Sequence, residues 1–375
     1  MAAVMTVGCG SASEDEVLPS PQQPGSESPI TISGNLSEEG TVTRATGLET
    51  YYKNFKVWAF KNLTGTATQI VMDEYNVNWV ANTAHTSTSN TDNWEYVNQQ
   101  DLGGTEQSIK YWDFSALAYR FFGVAGSTET NVPTGKYVYE PGTSDPTAYE
   151  VTYKSDAENE STIPYYSRLS YVESDGYGKP VQLEFIKPLS KVRFIFIFEE
   201  PDKAAETELT NPDFRPTNGN TIKMKGKVKI TYNLTGTTNR ESFSADAEAE
   251  GITALTKDYY TSVSTTTMNP DTENEQEVVT SPYLNADSSE SALGKVYTVL
   301  PTPHGQGSYT MTVKVNGDPK TAVVPADFMV WQPGYLYTYI FKIHVDGSVT
   351  IDNVQSAFTQ WQYHSLIEDH VVYNW

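Results

Sequence analysis

Three kinds of side chain in this sequence could take part in covalent or metal chemistry, and their spacing restricts what each can do. Cys9 is the only cysteine. A thiol without a second thiol forms no disulfide within the chain, so its chemistry is modification rather than stapling. The five histidines (His85, His304, His344, His364 and His370) are scattered, with no HExxH pair and no Cys/His cluster, so no metal site is expected. Asp246, Glu248, Glu250 and Gly251 follow the beginning of a calcium loop, but Lys257 stands where the bidentate glutamate is needed. A solvated acidic loop is the simpler reading of that stretch. There is no GxSxG elbow and no phosphate-cradling glycine loop, and 47 acidic residues are too many to single out a glycosidase pair. No catalytic residue, metal or cofactor is therefore expected.

The setting of Cys9 gives its chemistry a direction. Eight uncharged, mostly small or apolar residues precede it, with Thr6, Val7 and Gly8 directly before the thiol. This looks like a lipobox, in which a signal peptidase cuts before the cysteine and lipid is attached to it. A secretory apolar region has roughly 7 to 15 residues behind a positive segment, so residues 1–8 read as a truncated lipoprotein signal whose start codon was assigned late. Glu14, Asp15 and Glu16 follow closely and resemble the acidic export patch of surface lipoproteins in the Bacteroidales. Attachment to a membrane through lipid on Cys9 is expected, because two or more acyl chains anchor stably. The alternative is a free cysteine in a solvated leader. Residues 9–29 carry Pro19, Pro21, Pro24 and Pro29 among polar residues and read as a disordered tether.

A net charge of −22 repels nucleic acid and anionic lipid, so no DNA or RNA partner is expected. The 375 residues exceed the size at which single cores stop growing, which points to two domains. The 25 tyrosines, with abundant Thr, Asn and Gly, favour strands and turns over helices. An all-β fold is expected.

Along the chain, Ile30, Ile32 and Leu36 share one parity in a half-buried strand. Phe55, Val57 and Ala59 alternate with Lys56, Trp58 and Phe60, which predicts a strand buried on both faces and central to its sheet. Residues 108–125 predict two short strands with a bend near Ser115, and KYVY and YEVTY predict hairpins at the rim of the first domain. Asp175, Gly176 and Gly178 place a domain boundary after residue 178, giving sandwiches over 30–178 and 179–375. Beyond it, Ile222, Met224, Val228, Ile230, Tyr232 and Leu234 face inward, with Lys223, Lys225, Lys227 and Lys229 outward. That lysine row reads as an exposed face guarded against edge-to-edge aggregation, with an anion site as the competing reading. Residues 246–276 form a long polar excursion. An Asn316-Gly317 turn and the Trp331–Gly334 turn follow, and Tyr335, Tyr337, Tyr339, Phe341, Ile343 and Val345 share one face up to Asp346-Gly347. With a two-residue turn there, Val349 and Ile351 would fall opposite His344 and Lys342, an awkward register.

Three segments together resemble the fimbrillin family of Bacteroidales, the type V pilins and their relatives: VQLEFIKPLSKVRFIFIF at 181–198, YW…LAYRFFGVA at 111–125, and WQPGYLYTYIFKIHVDGSVTIDNV at 331–354. The last is similar to the family's Trp-x-Pro-Gly-x-x-Tyr-x-Tyr hairpin, and the first has Lys187 where a histidine is common. The early TRA at 43–45 and the lipobox extend the resemblance from one end of the chain to the other.

The resemblance implies two transthyretin-like Greek-key β-sandwich domains in series and export as a lipoprotein to the outer membrane surface, in a fimbrium. It also implies polymerisation with other pilus subunits by strand exchange, once an Arg-specific protease removes the first strand. Arg44-Ala45 matches the cleavage position, and Arg240 is a rival among only six arginines. The strand removed would contain Ile30, Ile32 and Leu36. Donor candidates are Val349 and Ile351, with Val371, Tyr373 and Trp375 in the final HVVYNW; pairing of these segments within their own domain is the competing reading. Adhesion to a host or bacterial surface ligand is a further expectation. The alternative function is a non-polymerising surface lipoprotein that binds glycans, with Trp58, Trp79, Trp94 and Trp112 as stacking candidates set against ordinary core packing.

Overall fold

A computed structural model of the chain describes residues 28–36, 48–63, 68–80, 89–97, 106–126, 131–159, 162–235, 241–246, 251–256, 260–263 and 297–358. Cys9, Arg44, Ala45, Arg240, Lys257, Val371, Tyr373 and Trp375 lie outside these residues, as does most of the 246–276 excursion. Among the described residues, regular structure is strand with a few 3-10 turns, so the fold is all-β.

Two pairs of facing sheets organise the strands. The first pair sets an eight-stranded sheet against a four-stranded one. Asn54–Asn62 lies between Ala118–Ala125 and Thr68–Trp79 in the larger sheet, the central place that its two-sided apolar pattern predicts. Phe55, Val57 and Ala59 enter one core, while Trp58 and Phe60 enter a second with Phe122, Tyr149, Val151, Ile230 and Tyr232. Because strand side chains alternate between faces, one strand serves both cores. The Phe122 and Tyr232 rings stack at 3.9 Å between centroids and join the two sheets.

The second pair faces a five-stranded sheet, built on Ser190–Phe198 and Tyr335–Ile343, with the three strands Leu209–Pro216, Tyr309–Val315 and Asp318–Val324. Phe194, Phe196, Phe214, Tyr309, Tyr339 and Phe341 fill the space between them.

The expected break after residue 178 does not separate these pairs. Val181–Ile186 belongs to the eight-stranded sheet, and Lys225–Asn233 and Glu241–Asp246 belong to the four-stranded one. The glycine-rich stretch is a turn inside the first sandwich. The KYVY and YEVTY segments do form a hairpin, Thr134–Tyr139 with Pro146–Asp156, and its outer partner is Lys225–Asn233. Glu241–Asp246 flanks its other side, so the lysine-bearing strand is interior, not an edge. Its lysines meet carboxylates instead, Lys225 Nζ lying 2.9 Å from Glu158 Oε2 and Lys229 Nζ 3.3 Å from Glu150 Oε1.

In the 108–125 stretch the bend falls at the predicted place. Asp113 Oδ1 accepts from the Ser115 backbone N–H at 3.0 Å and from its hydroxyl at 2.6 Å. Only the part after the bend is a full strand; before it, Tyr111 forms an isolated antiparallel bridge to Pro29.

Candidate strand-exchange groove

The first strand, Ile32–Leu36, ends the eight-stranded sheet and pairs in parallel with Val181–Ile186, Ile32 opposite Val181 and Leu36 opposite Phe185. The Val181 N–H donates to the Thr31 carbonyl at 2.9 Å. One step earlier the same segment uses other partners, with the Ile30 N–H donating to the Lys110 carbonyl at 2.8 Å and the Trp112 N–H to the Ser28 carbonyl at 2.9 Å. Residues 28–36 are therefore fastened twice, by a strap at 110–112 and by the sheet edge.

Beneath this segment lies an apolar floor. Ile30 and Ile32 are fully buried and Leu36 nearly so, in one core with Leu48, Phe55, Trp94, Tyr96, Leu183 and Phe185. At Gly34 the backbone comes so near the floor that an added Cβ would sit 2.9 Å from both Leu48 Cδ2 and Phe55 Cε1. Ser33 is buried as well, so the strand is more enclosed than its alternation predicts. The Tyr96 hydroxyl donates to the Ile30 carbonyl at 2.9 Å and accepts from the Lys110 N–H at 3.0 Å. Burial pushes the Tyr96 hydroxyl above its ordinary value, so it stays protonated at alkaline pH values where an exposed tyrosine ionises.

Arg44 and Ala45 fall in sequence between Leu36 and Leu48, both anchored in this same core. A cut between them would leave the first strand held by backbone pairing and packing alone. Its departure would expose the N–H and C=O groups of Val181–Ile186 together with the floor.

The C-terminal candidates divide. Val349–Phe358 ends its own five-stranded sheet in antiparallel pairing with Tyr335–Ile343. Ile343 stands opposite Val349 and Phe341 opposite Ile351, and Val349 is buried. The awkward register is avoided because the turn is longer than two residues: the His344 N–H donates to the Ser348 carbonyl at 2.9 Å, and Gly347 takes a φ of 76°. Val371, Tyr373 and Trp375 lie outside the described residues.

The Trp331–Gly334 turn has a clear internal logic. Gly334 adopts a φ of 84°, the left-handed region that glycine enters without steric cost. The Trp331 indole N–H donates to the Tyr339 hydroxyl at 2.8 Å, and that hydroxyl donates to the Phe328 carbonyl at 2.8 Å. The Gln332 N–H donates to the Tyr337 hydroxyl at 2.7 Å. The spaced Trp and Tyr side chains thus lock the turn onto the strand it launches.

Scattered in sequence, Glu199, His344 and Thr350 come together: His344 Nδ1 lies 3.1 Å from Glu199 Oε2, and His344 Nε2 lies 2.8 Å from Thr350 Oγ1. A hydroxyl, an imidazole and a carboxylate in this order recur in nucleophilic enzymes. Here the Val345 N–H also donates to Glu199 at 3.1 Å, beside an exposed Val345. The Val345 N–H and His344 hold the Glu199 carboxyl below its ordinary range, so its charge serves to fasten the hairpin tip. Among the described residues no group of three or more His, Cys, Asp or Glu could hold a metal, and no helix is long and apolar enough to cross a membrane.

Three of the four tryptophans considered for sugar stacking are buried in the packing, and the fourth, Trp79, is half-buried. Trp58, Trp94 and Trp112 are buried, and Trp79 packs edge-on against Trp94 at 5.1 Å between ring centroids. Sequence reasoning missed Tyr96, the strap at 110–112 and the identity of the first strand's neighbour. A tyrosine between Glu95 and Val97 gives no sign that its hydroxyl serves a distant carbonyl.

No protein-family model matches the chain, and no curated protein matches it. Solved structures similar to it include a fimbrial protein from Bacteroides vulgatus, at 12% identity over 88% of this chain and 99% of that one, with a TM-score of 0.41. A candidate cell adhesion protein from Bacteroides uniformis is similar at 12% identity over 89% and 98%, with a TM-score of 0.35. A fimbrial assembly protein from Parabacteroides distasonis is similar at 12% identity over 86% and 98%, with a TM-score of 0.34. Identities of this size carry no residue's role across to this chain.

Proposed function

We propose that this protein is a non-enzymatic fimbrial subunit or accessory subunit, anchored by lipid on Cys9 at the outer membrane surface. In this reading it assembles with other pilus subunits by exchanging a strand, and it mediates adhesion to a surface ligand. The observation that carries the reading is the seat of the first strand. A five-residue edge strand covers an apolar floor and joins the rest of the chain through the segment that holds Arg44. Excising such a strand leaves a backbone edge and a groove that a strand from a neighbour would satisfy together.

The experiment is incubation of the purified chain with an Arg-specific protease, followed by native mass measurement. Cleavage after Arg44, release of the 28–36 segment and a ladder of oligomers are expected, with Arg44→Ala remaining monomeric. Cleavage at Arg44 that yields only monomers would sink the assembly reading. Mass spectrometry of the protein from its own membranes tests the anchor, since a mature chain beginning at Cys9 should carry acyl groups.

A further inference from the structure

Of the ten large apolar side chains that stand exposed among the described residues, three fall within seven positions: Tyr111 is 39% exposed, Phe114 44% and Leu117 56%. Scattered singly, such residues need no explanation, but grouped they mark a surface that meets something apolar. The loop that carries them is fastened at several points. The Ala116 N–H donates to the Asp113 carbonyl at 3.0 Å and the Leu117 N–H to the Asn62 carbonyl at 2.8 Å. From beneath, the Tyr177 hydroxyl donates to the Ala116 carbonyl at 2.9 Å, and its ring meets Phe114 edge-on at 6.0 Å between centroids. Asp113 is the one charged residue of 111–117, and Lys61 Nζ lies 2.7 Å from its carboxylate. In a chain of net charge −22, this loop presents apolar groups with its single charge paired.

What the loop meets is indicated by the segment beside it. Tyr111 bridges Pro29, and the Trp112 N–H donates to the Ser28 carbonyl at 2.9 Å, so the chain before residue 28 enters the fold against this loop. Eighteen residues lie between Cys9 and Ser28. A chain of that length spans at most about 65 Å, and on average far less. Lipid on Cys9 would therefore hold this end of the first sandwich towards the bilayer. The three side chains together expose on the order of 300 Å², well short of the roughly 800 Å² that each partner gives to a stable protein–protein interface. Phe114 and Leu117 offer a sugar no side-chain hydrogen bond. A surface that is already tethered needs less area, because the attachment supplies the local concentration.

We propose that the 111–117 loop sits in the lipid interface of the membrane to which the uncleaved chain is anchored, an inference that rests on the lipid-anchored reading above. Phe114 and Leu117 enter the boundary between headgroups and acyl chains, and the Tyr111 hydroxyl stays at the headgroup level, where rings with one polar end are favoured. The contact fixes which end of the first sandwich faces the membrane.

The test couples the full chain through Cys9, its only thiol, to phosphatidylcholine vesicles containing a maleimide lipid, so the result does not depend on lipidation in the cell. A tryptophan introduced by Phe114→Trp should lose most of its added emission when the acyl chains are brominated. Val323→Trp, at a comparably exposed position on Asp318–Val324, should keep its emission. Leu117→Ser, at the most exposed of the three positions, should restore the emission of Phe114→Trp while leaving the melting midpoint in place. Emission untouched by bromination, or quenching unmoved by Leu117→Ser, would overturn the proposal and leave the anchor standing. A dimer of the uncoupled chain in sedimentation that Leu117→Ser disperses would also overturn it, since a second copy would then cover the loop. Insertion in the vesicles with no acyl group on Cys9 of the cellular protein would instead overturn the anchor, and the proposal with it.

Discussion

The hydroxyl of Tyr96 donates to the carbonyl oxygen of Ile30 at 2.9 Å, pinning the start of the first strand to the core beneath it. The same hydroxyl accepts from Lys110, so one side chain holds the strand and its strap together. Tyr96→Phe should therefore destabilise the chain by about 1–3 kcal/mol, the usual cost of stranding a buried hydrogen-bonding group. Urea denaturation measures the loss. Limited proteolysis at Arg44 should also proceed faster in the variant if the strand is loosened.

Gly34 tests the closeness of the strand to its floor. A Cβ there meets Leu48 and Phe55 at 2.9 Å, so Gly34→Val should cost about 1–3 kcal/mol through overpacking. The loss should appear as a lowered thermal midpoint. An unchanged midpoint would mean that the first strand is not seated as described.

Asp113 predicts a pH dependence. Hydrogen bonds from Lys61 and Ser115 hold its carboxyl down at about 2, against an ordinary value of 3.8, with Lys61 Nζ 2.7 Å away. The folded state thus binds fewer protons than the unfolded state between these values, and its stabilisation, present above them, is lost as pH falls toward 2. Asp113→Asn should lower the melting midpoint near neutral pH by a small amount, because the pair is partly exposed. The gap from the parent should close as the pH is taken down to about 2.

Tyr339→Phe removes a hydroxyl that serves both the Trp331 indole and the Phe328 carbonyl. Both groups would lose their partner at once, for a destabilisation of about 1–3 kcal/mol. Tryptophan fluorescence should report a changed environment, since Trp331 is fully buried in the parent.

Much of the strand content was legible because burial writes itself into sequence with a period of two. The two-sided pattern of 54–62 announced a central strand, and the alternation of 225–234 announced its inward face correctly. The Asp113 and Trp331 turns were likewise visible, since glycine, proline and short polar side chains act locally. The function of the lysine row was misread because alternation tells which face is outward but not whether the strand is an edge.

The sequence by itself determined the strand-rich character, the faces and most turns, each of which depends on neighbours a few residues apart. Only the tertiary structure decided that Leu36 lies beside Phe185, that Lys225–Asn233 completes the first sandwich, and that His344 meets Glu199 and Thr350. Backbone N–H and C=O groups are the same in every residue, so the choice of sheet partner is made by packing between distant segments once the intervening loops have closed.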